Sequence, residues 1–154
     1  MELSCPVGGQ QVEGNLNMCL AIYIASDKLL PLIEWKEEHP GFNTRSLSKY
    51  DRGVKKQFTL PFIIYAGSYQ GCSCGFLKEF LIEIKDLEMA QADYNLLAEY
   101  LREHQKMGSN VEIYSCWEGD QEAQPEFIEQ LTLEEVCDPQ FQFKEKAYYK
   151  IMRS

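Results

Sequence analysis

The stretch Asp86 to Met107, DLEMAQADYNLLAEYLREHQKM, decides how the chain folds. Leu87, Ala90, Tyr94, Leu97 and Leu101 recur every three or four residues, so one apolar stripe runs along a helix roughly 33 Å long. Asp86 reads as its N-cap, and Gly108 followed by Ser109 and Asn110 supplies the stop. A helix with one apolar stripe has to cover something, and the flanking segments are strands.

Upstream, CLAIYIASD (Cys19 to Asp27) is rich in β-formers with little alternation, which suits a central strand buried on both faces. LLPLIEW (29 to 35) reads as a short extended piece broken at His39-Pro40-Gly41. TRSLSKYDRGVKKQF reads as a short helix, and Pro61 places the start of the next strand near Phe62. FLKEFLIEIK (76 to 85) reads as a further strand, making a hairpin with GCSCG (71 to 75) at its turn.

Downstream, VEIYSCW is a strand, and its pairing with the first strand is open between parallel and antiparallel. AIYIAS, FIIYAGS and VEIYSC share one strand type. Thr132 and Glu135 have the spacing of a capping box for a short helix ended at Asp138-Pro139. FQFKEKAYYKIM closes the chain as a strand with Phe141, Phe143, Glu145 and Ala147 on one face. The expected fold is α+β: a mostly antiparallel sheet of four to five strands, one long helix on one face and a short helix before the last strand. Residues 1–17 read as a loose leader without periodicity, and 18–154 as a single domain.

The chain of 154 residues carries 24 acidic and 15 basic side chains, a net charge of −9. That balance argues against nucleic acid or an anionic membrane as partner, since both are bound through clustered Lys and Arg. The longest apolar run, MCLAIYIA, is far too short to span a membrane, and no basic segment precedes it. The expected location is the cytoplasm, where Cys5, Cys19, Cys72, Cys74, Cys116 and Cys137 are thiols or ligands rather than disulfides.

The chemistry-bearing stretch is GSYQGCSCGF (67 to 76). Cys72 and Cys74 sit at i and i+2 between Gly71 and Gly75, and Cys19 and Cys116 lie in strands that bring two more thiols within reach. Three readings compete: a tight bend of small residues, a zinc site at Cys72 and Cys74, and a reactive thiol. Zinc signatures pair two C-x-x-C knuckles or add close histidines, and here only His39 and His104 are available. A reactive thiol needs a cation, a helix N-terminus or a His beside it, and nothing adjacent in sequence supplies one. In an extended strand the two Cβ atoms stand about 6.5 to 7 Å apart, against about 3.8 Å in a disulfide, so the pair is expected reduced and not joined to each other.

Eight carboxylates and no Lys or Arg lie between Glu118 and Asp138, without EF-hand spacing, and read as a solvated surface. Arg45, Lys49, Arg52, Lys55 and Lys56 against Asp51 read as a solvated helix face, and His104 as a surface residue. No G-x-S-x-G, P-loop, dinucleotide fingerprint or H-E-x-x-H is present, which lowers the common enzyme classes. MCLAIYIASDKLLPLIEW, EEHPGF, YAGSYQGCSCGF and VEIYSCWEGD resemble a pattern of uncharacterised bacterial proteins from Met18 onward. The resemblance implies a bacterial origin and no particular activity. The expected function is a small soluble binding or interaction module with a small molecule or protein as its unknown partner and no cofactor. The alternative is a thiol-based metal or redox protein centred on GCSCG.

Overall fold

The computed structural model describes residues 19–153; the leader 1–17 lies outside them. The strands are β1 (Leu20–Ser26), β2 (Asn43–Ser46), β3 (Phe62–Gly67), β4 (Val111–Trp117), β5 (Phe127–Leu131) and β6 (Ala147–Ile151). The helices are α1 (Ile84–Gln105) and α2 (Leu133–Val136). The fold is α+β, but the sheet has six strands in the order β2-β3-β1-β4-β6-β5 and is mixed, since β5 runs parallel to β6. All other neighbours, β1 and β4 among them, are antiparallel.

β1 is buried along its whole length at the middle of the sheet, as its continuous apolar run requires. One sheet face carries Ile22, Ile24, Ile64, Ile113 and Tyr149, packed under Tyr94, Leu97, Ala98 and Leu101 of α1. The other face carries a row set by register: Arg45, Tyr65, Tyr23, Tyr114 and Tyr148 stand side by side on five neighbouring strands. This row is the physical meaning of the recurring Ile-Tyr strand type. The hydroxyls tie down covering chain, directly for Tyr23 and Tyr114 and through the Glu112 carboxylate, which holds Thr59, for Tyr148. Tyr23 donates to Asp51 (2.6 Å), Tyr114 to the Ala123 carbonyl (2.9 Å) and Tyr148 to Glu112 (2.5 Å).

Four expectations are corrected. FLKEFLIEIK is not a strand: Lys78–Phe80 is a 3-10 turn and the helix already begins at Ile84, with Glu83 as N-cap and Asp86 in its first turn. With Phe76 buried against Tyr94 and Phe143, the chain is captured by the helix side before it can pair with β3. β2 (NTRS) and β5 (FIEQL) were not expected, because a short polar edge strand and one inside an acidic run carry little β signal. The last strand covers only Ala147–Ile151, and Phe141 and Phe143 instead form an aromatic cluster with Tyr94 and Tyr149. His104 is buried, not a surface residue. The capping box at Thr132 and Glu135 is formed as expected, and β3 starts at Phe62.

Candidate functional site

The GCSCG segment closes the end of the sheet where β1 and β3 diverge. The ladder between them stops at Ile22 and Ala66, and the side chains of the bend take over its hydrogen bonds. Ser73 Oγ accepts from the Ile22 amide at 3.0 Å and donates to the Ala66 carbonyl at 2.6 Å. The Ser73 amide donates to Tyr65 Oη at 2.9 Å, and Cys74 Sγ accepts from the Leu20 amide at 3.3 Å. Ser68 folds the loop on itself by donating to the Cys72 carbonyl at 2.6 Å and accepting from the Gly75 amide at 3.0 Å. The glycines are required by these approaches: Gly71 has φ +92°, and a Cβ at Gly75 would run into Ser68 and the Tyr69 ring.

Two of the expected cysteines and one of the more distant pair meet here. Cys19, Cys72 and Cys74 form one sulfur-rich cluster. Cys116 is held apart, in the cluster of Ala21, Tyr23, Val54, Tyr65 and Tyr114. Cys72 is disulfide-bonded, which corrects the expectation of two reduced residues in this loop. Cys74 carries a thiol whose pKa is pushed well above the ordinary range by its hydrogen bond with Cys19 and by burial. Burial and the carboxylates of Asp120 and Glu118 push Cys116 up in the same way. Such thiols stay protonated at neutral pH and are weak nucleophiles. A disulfide sulfur is no thiolate ligand, so Cys72 in its bonded state offers a metal no charged sulfur. Among the described residues no group of three or more His, Cys, Asp or Glu is placed to hold a metal ion.

Behind the bend stands Asp93 of α1, 1% exposed. Its carboxylate accepts from the Tyr69 amide at 2.7 Å and from the Phe42 amide, so one side chain fastens two loops. Burial outweighs these hydrogen bonds and raises its pKa to about 7.

A second location was not expected from the sequence. Pro31, Ile33 and Phe42 on one side and Leu96, Tyr100, His104 and Met107 on the other line an open groove of about 790 Å³ beside α1, with the charged side chains of Glu99, Glu103 and Lys106 also in its lining. Its walls are fixed by polar contacts. Tyr100 donates to the Pro31 carbonyl at 2.5 Å, Thr44 Oγ1 donates to the same oxygen at 2.9 Å, and the Phe42 and Tyr100 rings meet edge to face at 5.3 Å. His104, which lines this groove, is 3% exposed. Its Nε2 lies 2.8 Å from Ser26 Oγ, and its buried Nδ1 has no hydrogen-bond partner.

Ser26 Oγ accepts from the Lys28 amide at 3.1 Å and has two groups near its own proton, His104 Nε2 at 2.8 Å and Asp27 Oδ1 at 3.5 Å. Burial lowers the His104 pKa and so favours the neutral ring, and Nδ1 is the ring nitrogen left without a partner. The sequence did hold a signal for both polar residues. Asp93 and His104 sit at helical spacing from Ala90, Leu97 and Leu101, on the buried stripe where a polar side chain needs a reason. No protein-family model, no curated protein and no solved structure matches the chain.

Proposed function

We propose that the protein is a small binding module whose ligand occupies the groove beside α1. The observation that carries this reading is the buried His104 ring, a lining residue of an apolar groove, with a nitrogen lacking a hydrogen-bond partner. With the Ser26 proton on Nε2, Nδ1 is a buried donor whose lack of a partner costs about 1–3 kcal/mol, and a ligand whose entry shifts the ring enough to expose it would recover that cost. The apolar walls select a hydrocarbon chain or ring, and the imidazole selects an acceptor oxygen at its end. The ligand is therefore an apolar molecule with one carbonyl, hydroxyl or carboxylate head. Titration calorimetry with decanoate and with decylamine tests this, since the two share a tail and only decanoate offers an acceptor. Saturable binding of decanoate that is weaker for decylamine and lost in Leu96→Asp is the expected result. Equal binding of both tails, or no effect of Leu96→Asp, would remove the reading.

A second reading, thiol chemistry at the bend, is favoured by the grouping of Cys19, Cys72 and Cys74. It is weaker because the Cys74 environment opposes the thiolate such chemistry uses.

A further inference from the structure

The segment Leu29 to Ile33 is a wall between two grooves. Pro31 and Ile33 face the groove of His104, whereas Leu29 and Leu32 line a second groove with Ser46, Leu47, Arg52, Lys55, Pro61 and Phe62. This second groove runs along the outer edge of the sheet, since β2 is the terminal strand. The Thr44 amide points outward and donates to the Ile33 carbonyl at 2.9 Å. With a repeat of two, the amide and carbonyl of Ser46 point outward as well. The bridge between Ile33 and Thr44 is isolated: Pro31 turns its carbonyl to Thr44 Oγ1, and among the described residues no backbone hydrogen bond carries the pairing on to Ser46, which is exposed. The edge is therefore open at Ser46, beside Leu29 and Leu32, which are 74% and 58% exposed.

Charge gives the groove a sign. The protein carries a net −9, yet Arg52 and Lys55 stand exposed at this groove, and no ion pair among the described residues involves either. The nearest acid in sequence, Asp51, is buried and occupied: it accepts from Tyr23 Oη and from the amide and hydroxyl of Ser48. We propose that the β2 edge binds an extended acidic-apolar peptide of a partner protein, added as a further strand at Ser46. Alternate apolar side chains would enter the cleft of Leu29, Leu32 and Phe62, and the peptide's carboxylates would meet Arg52 and Lys55. A second copy of this chain is the less suited occupant. Its own exposed edge strand, β5, has Glu129 paired with Lys144, and Glu126 just before it is paired with Lys146, while contact between β2 and β5 edges is head-to-tail and does not close into a dimer.

The test uses fluorescence anisotropy with two blocked, dye-labelled hexapeptides, one alternating glutamate and valine, the other lysine and valine. The glutamate peptide is expected to bind with an affinity that falls as salt rises, and the lysine peptide to bind at least about tenfold more weakly. Arg52→Glu with Lys55→Glu should reverse that preference, and Ser46→Pro, which removes the outward N–H and fixes φ at the last residue of an extended strand, should weaken the glutamate peptide while the melting temperature is held. Equal affinity for both peptides, no binding of either, or a glutamate affinity unchanged by charge reversal would overturn the proposal. So would concentration-dependent self-association abolished by the same charge reversal, because the occupant would then be a second copy.

Discussion

Replacing Asp93 by asparagine should change how stability depends on pH, and the size of the change follows from its surroundings. The carboxyl is moved by burial from 3.8 up to about 7, while the amides of Tyr69 and Phe42 pull it the other way. The folded state thus holds this proton more tightly than the unfolded chain does. Stability from this group is fully present below the unfolded value and is lost as pH rises through the window between 3.8 and about 7. At about 1.4 kcal/mol per tenfold change in proton affinity, the loss is on the order of 4 kcal/mol. Asparagine stays neutral and keeps an oxygen for the Tyr69 amide, so the variant lacks this fall. Urea unfolding of both proteins at closely spaced pH values measures it, because every other carboxyl titrates in both and cancels in the difference. The variant should gain on the parent by about 4 kcal/mol between about pH 4 and about pH 8. Parallel stability curves would show that Asp93 is solvated, and the fastening of two loops by a buried carboxyl would be refuted.

Three further outcomes are expected. Leu97→Ala, at a fully buried position of α1, should cost about 2–5 kcal/mol in denaturant unfolding, while Glu99→Ala on the exposed side should cost less than about 0.5 kcal/mol. Gly75→Ala should destabilise by about 1–3 kcal/mol, since the new methyl meets Ser68 and Tyr69, and thermal unfolding would detect it. Native alkylation followed by peptide mass analysis should modify the half-buried Cys137 well before Cys116, which is fully buried and has a raised pKa.

The parts of the fold written in periodicity were legible in the sequence. The α1 stripe, β1, the start of β3 after Pro61 and the capping box at Thr132 each depend on local patterns of residues. β2 and β5 escaped because an edge strand is defined by its neighbour: NTRS exists as a strand through its pairing with β3, and FIEQL through β6. FLKEFLIEIK misled because its β-formers serve other ends, Phe76 and Leu77 in the core and Phe80, Ile82 and Ile84 at the surface. At the bend the small residues were legible, but their purpose was not. That Ser73 and Cys74 replace ladder hydrogen bonds of β1 depends on a strand more than fifty residues away in sequence. The groove of His104 was invisible for the same reason, being built from three separated segments.

Nitrogen NMR of the His104 ring, followed through a decanoate titration, tests the central claim most directly. The ligand-free protein should show a neutral ring protonated on Nδ1, and saturating decanoate should move that resonance as the proton gains an acceptor, with no change in Leu96→Asp. A ring already protonated on Nε2, or an Nδ1 signal indifferent to decanoate, would contradict the claim that this groove is the ligand site.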